Sequence, residues 1–279
     1  MSHISIHYLK KHKSLLVGSI LLLIIILIAL FPRLFCRYNP IEQNTSQLLL
    51  PPSLSHPFGT DNYGRDLFSR VIYGTRVDLM IGFLAMIVPF FTGSIIGILA
   101  GYYGGAVDAI LMRILDITAA FPFLILVIGI VSILGANISN LYIAIWIVGW
   151  CYYARLVRSE VLSEKNVEYV QAAKLCGFSN LRIMMKHIFP NVISSAVVYA
   201  ISDIMMCMLL GASLSFLGLG VQPPIPEWGA IISEGRPYMT QAWWLTTFPG
   251  IALAITGVSI SLVGEGLSGL IINRSSNEG

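Results

Sequence analysis

The chain has 279 residues, of which 56% are hydrophobic and only 11% are charged. Soluble domains carry roughly 25% charged residues, and a chain this apolar could not keep its surface in water. The composition therefore excludes a soluble enzyme and indicates a protein that lives in a lipid bilayer. The net charge of +3 is small and the basic residues are scattered, so no nucleic-acid partner is indicated.

Six stretches are long and apolar enough to cross a hydrocarbon core of about 30 Å, which takes about 20 helical residues. In chain order they are Leu15 to Phe31, Leu79 to Ala100, Ala109 to Leu134, Leu141 to Val157, Asn191 to Leu217 and Trp243 to Leu262. The first stretch lacks a small-residue cleavage site after it, so we expect a retained anchor and not a signal peptide. The sequence thus predicts an all-α integral membrane protein with six transmembrane helices.

Six spans place both termini on one side, and lysines before the first span put that side in the cytoplasm. We expect an anchor helix with an outer loop over residues 1–78, a helical core over 79–272 and a short tail over 273–279. The largest polar interruption of the core, at about 158–187, then faces the cytoplasm. That loop is positioned to meet a cytoplasmic partner.

The four cysteines, Cys36, Cys151, Cys176 and Cys207, show no paired spacing. The sequence therefore predicts neither a disulfide framework nor a zinc site. It also lacks a G-x-x-x-x-G-K-[ST] loop, so we expect no catalytic residues for ATP hydrolysis. Energy would come from an ion gradient used by this chain or from a separate ATPase docked on it.

The cytoplasmic loop reads as a short helix from Glu168, a break at Gly177 and a second helix that ends at Pro190. Val167, Val170 and Ala173 recur at helical spacing and predict a small apolar ridge. Glycine permits a sharp turn without a side-chain clash. From the residues alone, a loop that docks on a partner and a solvated amphipathic loop remain equal alternatives.

Charged residues also occur in the predicted outer loop and in the middle of the fifth predicted span. Asp61, Arg65, Asp66 and Arg70 are spaced by four or five residues, which predicts ion pairs on one short helix in the outer loop. Asp203 lies about half-way along the fifth span, where a carboxylate is a functional-site hypothesis by default. The sulfur-rich run after it, Met205 to Met208, leaves packing, substrate contact and a passing transition metal open.

The pattern of Ala172 and Ala173, then Gly177, then Pro190 resembles the "EAA" coupling loop in membrane subunits of bacterial ATP-binding-cassette importers. In that family the helix of the loop fits a groove on the ATPase subunit, and the resemblance implies the same use here. The glutamate that names the motif is Gln171 in this chain. Glu168, three residues earlier, is the candidate for the acidic contact.

Three more stretches narrow the resemblance to the "C"-type permeases of the dipeptide, oligopeptide and nickel importers. They are His56 to Asp61 with Gly64 to Asp66, Tyr153 to Arg155, and Ser213 to Gly220 with Glu227 to Gly229. The resemblance covers about residues 56 to 267. The tail departs from it, because Gly264 to Ser268 stands where the family shows an acidic residue, leucine, arginine and aspartate.

The resemblance implies a type I importer permease without cofactor, which moves short peptides across the bacterial inner membrane. It implies a related second membrane subunit, two cytoplasmic ATPase subunits, an external substrate-binding protein and a lipid environment. Asp61, Arg65 and Asp66 become candidates for contact with the binding protein, and Asp203 and Met206 for the translocation path. Nickel or a metal chelate is the alternative cargo, with metal ligands left open. A gradient-driven secondary transporter is the alternative from another class, for which only Asp203 is a clear mid-membrane carboxylate.

Overall fold

The computed structural model describes the backbone of residues 13–275, and over that range it is helical apart from loops, turns and one isolated bridge between Thr60 and Asp66. We number the α-helices in chain order. They are α1 (Lys13–Leu30), α2 (Pro32–Phe35), α3 (Leu67–Tyr103), α4 (Gly105–Ala119), α5 (Phe123–Leu134), α6 (Ile138–Glu164), α7 (Glu168–Leu175), α8 (Asn180–Ile183), α9 (Phe189–Phe216), α10 (Trp228–Gly235) and α11 (Trp244–Ser275). A π-helical turn, Met184–Ile188, joins α8 to α9, and a 3-10 turn, Arg236–Tyr238, follows α10.

Four of the described segments are long and apolar enough to cross a membrane alone: Lys13–Leu30, Leu67–Tyr103, Asn180–Phe216 and Trp244–Gly269. Helices α4 and α5 can supply a fifth crossing only as a bent pair. The predicted fourth span lies inside α6, a continuous helix of 27 residues that is not among those four. The all-helical membrane architecture is therefore confirmed, and five of the six predicted stretches each fall on one helix, give or take a residue at the ends.

The third predicted span, Ala109 to Leu134, is broken where the prediction made it continuous. Helix α4 ends at Ala119, α5 begins at Phe123, and the two helices are bent by 80°. Pro122 explains the break, because it has no N–H to donate and its ring disfavours a helical conformation at Phe121. Hydropathy alone could not show the bend, since the residues on both sides of it are apolar.

The second predicted span begins too late. Helix α3 starts at Leu67, twelve residues before the predicted Leu79, and its first three turns contain Ser69, Arg70 and Asp78. These side chains are 0–1% exposed and contact protein instead of water: Ser69 donates to Asp66, Arg70 pairs with Asp61, and Asp78 accepts from the Trp228 N–H. Hydropathy assigns these polar residues to a loop because it takes no account of their hydrogen-bond and ion-pair partners.

The chain divides into two compact units, which we describe separately. The first unit runs to Phe83 and includes Val131–Leu141 and the part from Ile201 onward. Its buried cluster includes Leu67, Met208, Trp228 and Leu245. The predicted anchor belongs to this unit and packs on α11, where a Cβ placed at Gly18 would lie 2.6 Å from the Cβ of Leu262.

The second unit comprises Leu84–Ile130 and Tyr142–Ala200. Here Gly93, Gly97 and Gly101 of α3 face α6, and a Cβ at Gly97 would lie 2.7 Å from the carbonyl oxygen of Ala154. Small residues at this spacing let two membrane helices approach closely. Helix α6 is thereby fixed against α3 just before the polar loop at about 158–187.

Candidate functional site

The short helix predicted in the cytoplasmic loop is confirmed as α7, and its end is built around Gly177. The Phe178 N–H donates to the Ala173 carbonyl at 3.2 Å, and the Gly177 N–H donates to the Lys174 carbonyl at 3.0 Å. Gly177 has φ +74°, a left-handed conformation that glycine adopts without a Cβ penalty. This pair of bonds with a left-handed glycine is a Schellman motif, so the break predicted at Gly177 is confirmed.

The two faces of α7 differ in what they contact. Val170 and Ala173 are 0% and 5% exposed, so the ridge they form packs on the chain itself. Val167 was expected on that ridge, but it precedes the first helical turn and its side chain is 42% exposed. On the other face Leu175 is 90% exposed, and the neighbouring Gln171 and Ala172 are exposed as well. The outward face of α7 is therefore free for another protein, with an apolar side chain at its end.

Gln171, at the position of the motif glutamate, is tied back to the chain. Its Nε2 donates to the carbonyl oxygen of Lys165 at 3.0 Å, one residue beyond the end of α6. A glutamate carboxylate could not donate this bond. Glu168 lies in the first turn of α7 and is exposed, a position that also suits the positive end of the helix dipole.

The second helix of the loop does not end at Pro190, and this prediction was wrong. The π turn before α9 carries a bond from the Phe189 N–H to the Met184 carbonyl, five residues back, and the helix then continues to Phe216. Pro190 directly follows the π turn inside the helical segment Asn180–Phe216, so its missing N–H leaves one helical bond unmade. The wider π turn supplies the local adjustment that a regular helix would lack.

A polar cluster behind α7 was missed by sequence reasoning. The Tyr169 hydroxyl hydrogen-bonds to the Glu164 carboxylate and to the His187 carbonyl, the latter at 3.1 Å. Asn191 Nδ2 lies 2.6 Å from the Tyr169 hydroxyl and 2.8 Å from Glu164 Oε1. Burial, followed by the hydrogen bond to Glu164, raises the pKa of Tyr169 to about 12, so the hydroxyl keeps its proton. The partners lie 5 to 27 residues apart and have no common spacing, so no periodic pattern pointed to them.

The charges of the outer loop form ion pairs as predicted, but they do not share one short helix. Asp61 Oδ2 accepts from Arg65 Nε and from Arg70 Nη1, each at 2.6 Å. Arg65 Nη2 also lies 2.7 Å from Glu234 of α10, 169 residues away. Residues 61–66 form turns before α3, because Asp61 accepts hydrogen bonds from the Tyr63 and Arg65 N–H groups and closes a loop instead.

Asp66, the third candidate of the outer loop, pairs with a histidine. Its Oδ1 lies 2.9 Å from His56 Nδ1, and its Oδ2 accepts from the Ser69 N–H and hydroxyl at the start of α3. Asp61, Arg65 and Asp66 are only 2% to 4% exposed. Their side chains hold the outer loop together from within, so any contact with an external partner would involve the surface that they shape.

The candidates of the fifth span lie on α9. Asp203 is half-buried and Met206 is 63% exposed, whereas Cys207 and Met208 are 5% and 2% exposed and belong to the packed interior. Met205 fills the space beside Gly257 of α11 and accepts a hydrogen bond from Ser261 at 3.4 Å. Within residues 13–275, no group of three or more His, Cys, Asp or Glu side chains is placed to hold a metal ion.

Residues 93–277 match the family of binding-protein-dependent transport system inner membrane components. This range includes the glycines of α3 that face α6, the loop that contains α7, and α9. The chain belongs to this family. Residues 2–52 of the permease match a second family, the N-terminal TM domain of oligopeptide transport permease C. The C-type resemblance of the sequence is thereby confirmed.

The similarity to known proteins extends over nearly the whole permease. It is 42% identical to a dipeptide transport system permease protein of Alkalihalophilus pseudofirmus, over 93% of this chain and 85% of the relative. It is 39% identical to one from Haemophilus influenzae, over 93% of this chain and 90% of the relative. A chain from the inward-facing MetNI methionine ABC transporter superposes with a TM-score of 0.60 at 17% identity, covering 74% of this permease and 97% of that chain. That likeness confirms the fold.

Proposed function

We propose that this permease is the transport subunit of an ATP-driven importer that carries short peptides across the inner membrane. The outward face of α7, with Leu175 exposed beyond Gln171 and Ala172, is the observation that carries the proposal. An exposed leucine on a polar loop costs hydrophobic free energy in water, and an apolar groove on another subunit would recover it. Relatives that are named dipeptide permeases support peptides as the cargo.

The chain itself would supply no ATPase site and no cofactor. One of two cytoplasmic ATPase subunits would bind at Glu168, Gln171 and Ala172, while buried Ala173 and the turn at Gly177 would shape that surface, within the loop that spans about 158–187 and leads to Pro190. A related second permease would complete the membrane part, with both termini of this chain in the cytoplasm. Residues 79–272 would serve as the core and 273–279 as a tail.

An external substrate-binding protein would dock on the outer loop that Asp61, Arg65 and Asp66 stabilise. Within the membrane, Asp203 and Met206 of α9 would line the translocation path, since Met206 is exposed and Asp203 is half-buried. Peptides carry an ammonium group that a carboxylate can attract. The burial of Cys207 and Met208 supports packing as the role of the sulfur-rich run, and we therefore propose peptides rather than nickel as the cargo.

The test is uptake by the reconstituted complex. The permease is coexpressed with an ATPase, a second permease and a binding protein encoded by genes of the same organism, and proteoliposomes are assayed with radiolabelled dialanine. We expect the ATPase subunits to copurify with this chain and uptake to require both ATP and the binding protein. Uptake that follows a proton gradient and persists without the ATPase subunits would instead establish a secondary transporter.

A further inference from the structure

The cytoplasmic end of α6 is tied by polar side chains to three other helices of its unit. Arg158 contacts Asp108 of α4 through two bonds of 2.5 and 2.6 Å. Lys165 Nζ donates to the Gly101 carbonyl near the end of α3 at 2.8 Å. Such charge-assisted bonds are stronger and shorter than neutral ones. A displacement of the end of α6 would therefore be felt by α3 and α4.

Helix α9 is tied to the same region. The Ser195 hydroxyl donates to Glu160 at 2.9 Å, one turn before Glu164 along α6. Glu164 in turn accepts from Asn191 in the first turn of α9. Two successive turns of α6 thus hold two successive turns of α9 through hydrogen bonds.

Tyr169 connects α7 to this framework. Its hydroxyl contacts Glu164 on α6, Asn191 on α9 and the His187 carbonyl in the π turn. Apolar contacts such as those of Val170 and Ala173 are non-directional, so they allow one helix to slide over another. Hydrogen bonds weaken steeply when their geometry is lost. A force applied to α7 therefore reaches α6 and α9 together through the Tyr169 hydroxyl, whereas the bond from Gln171 Nε2 to the Lys165 carbonyl ties α7 to the end of α6 alone.

We propose that Glu164, Tyr169 and Asn191 form the joint that passes the motion of the coupling helix to the membrane helices α6 and α9. The three are positioning residues, since they contact neither substrate nor nucleotide. The inference rests on the proposed function and deepens it, because it names the side chains that convert docking into movement of the spans.

The first variant is Tyr169→Phe, studied in the complete reconstituted complex. It keeps the ring of Tyr169 and removes the hydroxyl, which accepts from Asn191 and shares its single proton between Glu164 and the His187 carbonyl. We expect the ATPase subunits to copurify as before and the number of dialanine molecules imported per ATP hydrolysed to fall by about fivefold, since bonds to a charged group are among the stronger ones. The matched control is Tyr103→Phe, which removes a hydroxyl at the end of α3 and keeps the ring contact with Tyr102. It should import dialanine at the normal ratio.

The second variant tests whether the hydrogen-bond polarity matters or only the shape. Asn191→Asp places a second carboxylate against Glu164, so like charges face each other and the ratio should fall again. Adding Glu164→Gln restores one amide donor and one carboxylate acceptor in exchanged positions. The double variant should regain most of the lost coupling, which a loss of folding could not do.

These measurements separate the joint from the function on which it rests. If the wild-type complex shows no ATP-dependent uptake of dialanine, the proposed function fails. If it does, an unchanged ratio in Tyr169→Phe overturns the joint, and so does a loss of ATPase copurification, because the cluster would then shape the docking surface only. A double variant as uncoupled as Asn191→Asp alone would also contradict the proposal.

Discussion

Gly177 holds a backbone conformation that no side chain would obstruct sterically, because a Cβ at this position meets nothing within 4 Å. The requirement for glycine comes from its φ of +74° alone. Asparagine tolerates this left-handed region, whereas a β-branched residue does not. The position thus offers two substitutions of similar size that differ in backbone strain.

We predict that Gly177→Val uncouples transport and that Gly177→Asn does not. Valine costs of order 1–3 kcal/mol in this conformation, enough to unwind the end of α7 and reorient Leu175. ATP-dependent dialanine uptake should fall by about fivefold or more in the valine variant, with binding of the loaded substrate-binding protein retained. Equal uptake by the two variants would show that the turn has no mechanical role.

A second residue-scale prediction concerns Asp203. Asp203→Asn preserves the shape and removes a charge that is costly at mid-membrane, by about 2.5–3.5 kcal/mol on insertion scales. If the carboxylate attracts the ammonium group of a passing peptide, uptake should fall while expression and basal ATP hydrolysis stay the same. Normal uptake of both labelled dialanine and nickel by this variant would leave Asp203 with a packing role.

Single residues were predictable from the sequence where a local rule decides their conformation. Gly177 is such a case, because a break between two helical segments needs a left-handed residue. The pairing of Asp61 with Arg65 also followed from spacing, but Glu234 joins them from 169 residues away and no local pattern contains it. Tyr169 and Asn191 were not predicted for the same reason, because they contact each other and Glu164 across 5 to 27 residues of sequence.

At the scale of elements, α10 depends on a buried carboxylate at its start. Glu227 is 0% exposed and accepts from the Gly229 N–H at 2.9 Å and the Ala230 N–H at 2.7 Å. The preceding N–H, that of Trp228, donates to Asp78 of α3. Two buried carboxyl groups therefore accept from three consecutive backbone N–H groups. Burial raises the pKa of the Glu227 carboxyl above its ordinary value.

This arrangement predicts the sign of a pH effect on stability. Above about pH 4.3 the unfolded chain releases the Glu227 proton while the folded chain retains it, so stability falls as pH rises toward the raised pKa. Glu227→Gln removes the contribution of Glu227 to this dependence and keeps one backbone acceptor. In detergent, the Tm of the wild type should decrease more steeply with rising pH than that of the variant. Glu265→Gln, at an exposed position of α11, is the control and should follow the wild type. Parallel curves would contradict a proton held at Glu227.

Elements were predictable where hydropathy and helix boundaries coincide. The last helix α11 begins one residue from its predicted start, because its apolar run begins with Trp244 and Leu245 at the helix boundary. The predictions failed at α3 and at the bend between α4 and α5. In the first case buried ion pairs replace apolar residues, and in the second a single proline redirects a chain that is apolar on both sides.

For the whole molecule, the orientation in the membrane remains a prediction that the four cysteines can test. Cys176 is exposed at the end of α7, Cys36 is partly exposed after α2, and Cys151 and Cys207 are buried. A membrane-impermeant maleimide should label Cys36 in intact spheroplasts and Cys176 only after permeabilisation. Burial raises the pKa of the Cys36 thiol, so labelling is best done at pH 8.

Two variants make this measurement specific. Cys36→Ser should abolish the labelling of intact cells, and Cys176→Ser should abolish the extra labelling after permeabilisation. Labelling of Cys176 in intact spheroplasts would reverse the orientation and place the coupling helix outside the cell, where no ATPase could reach it.

The bend between α4 and α5 has a consequence for solvent. The two helices are about 22 Å and 18 Å long, so neither one traverses a hydrocarbon layer of about 30 Å. The carbonyl groups that lose their helical partners where α4 ends cannot face acyl chains. A cavity of about 150 Å³, lined by Thr118, Phe121, Tyr152 and Arg155 among others, opens at that point. These carbonyl groups must therefore be met by protein or by water and not by lipid, and the cavity gives water a place beside them.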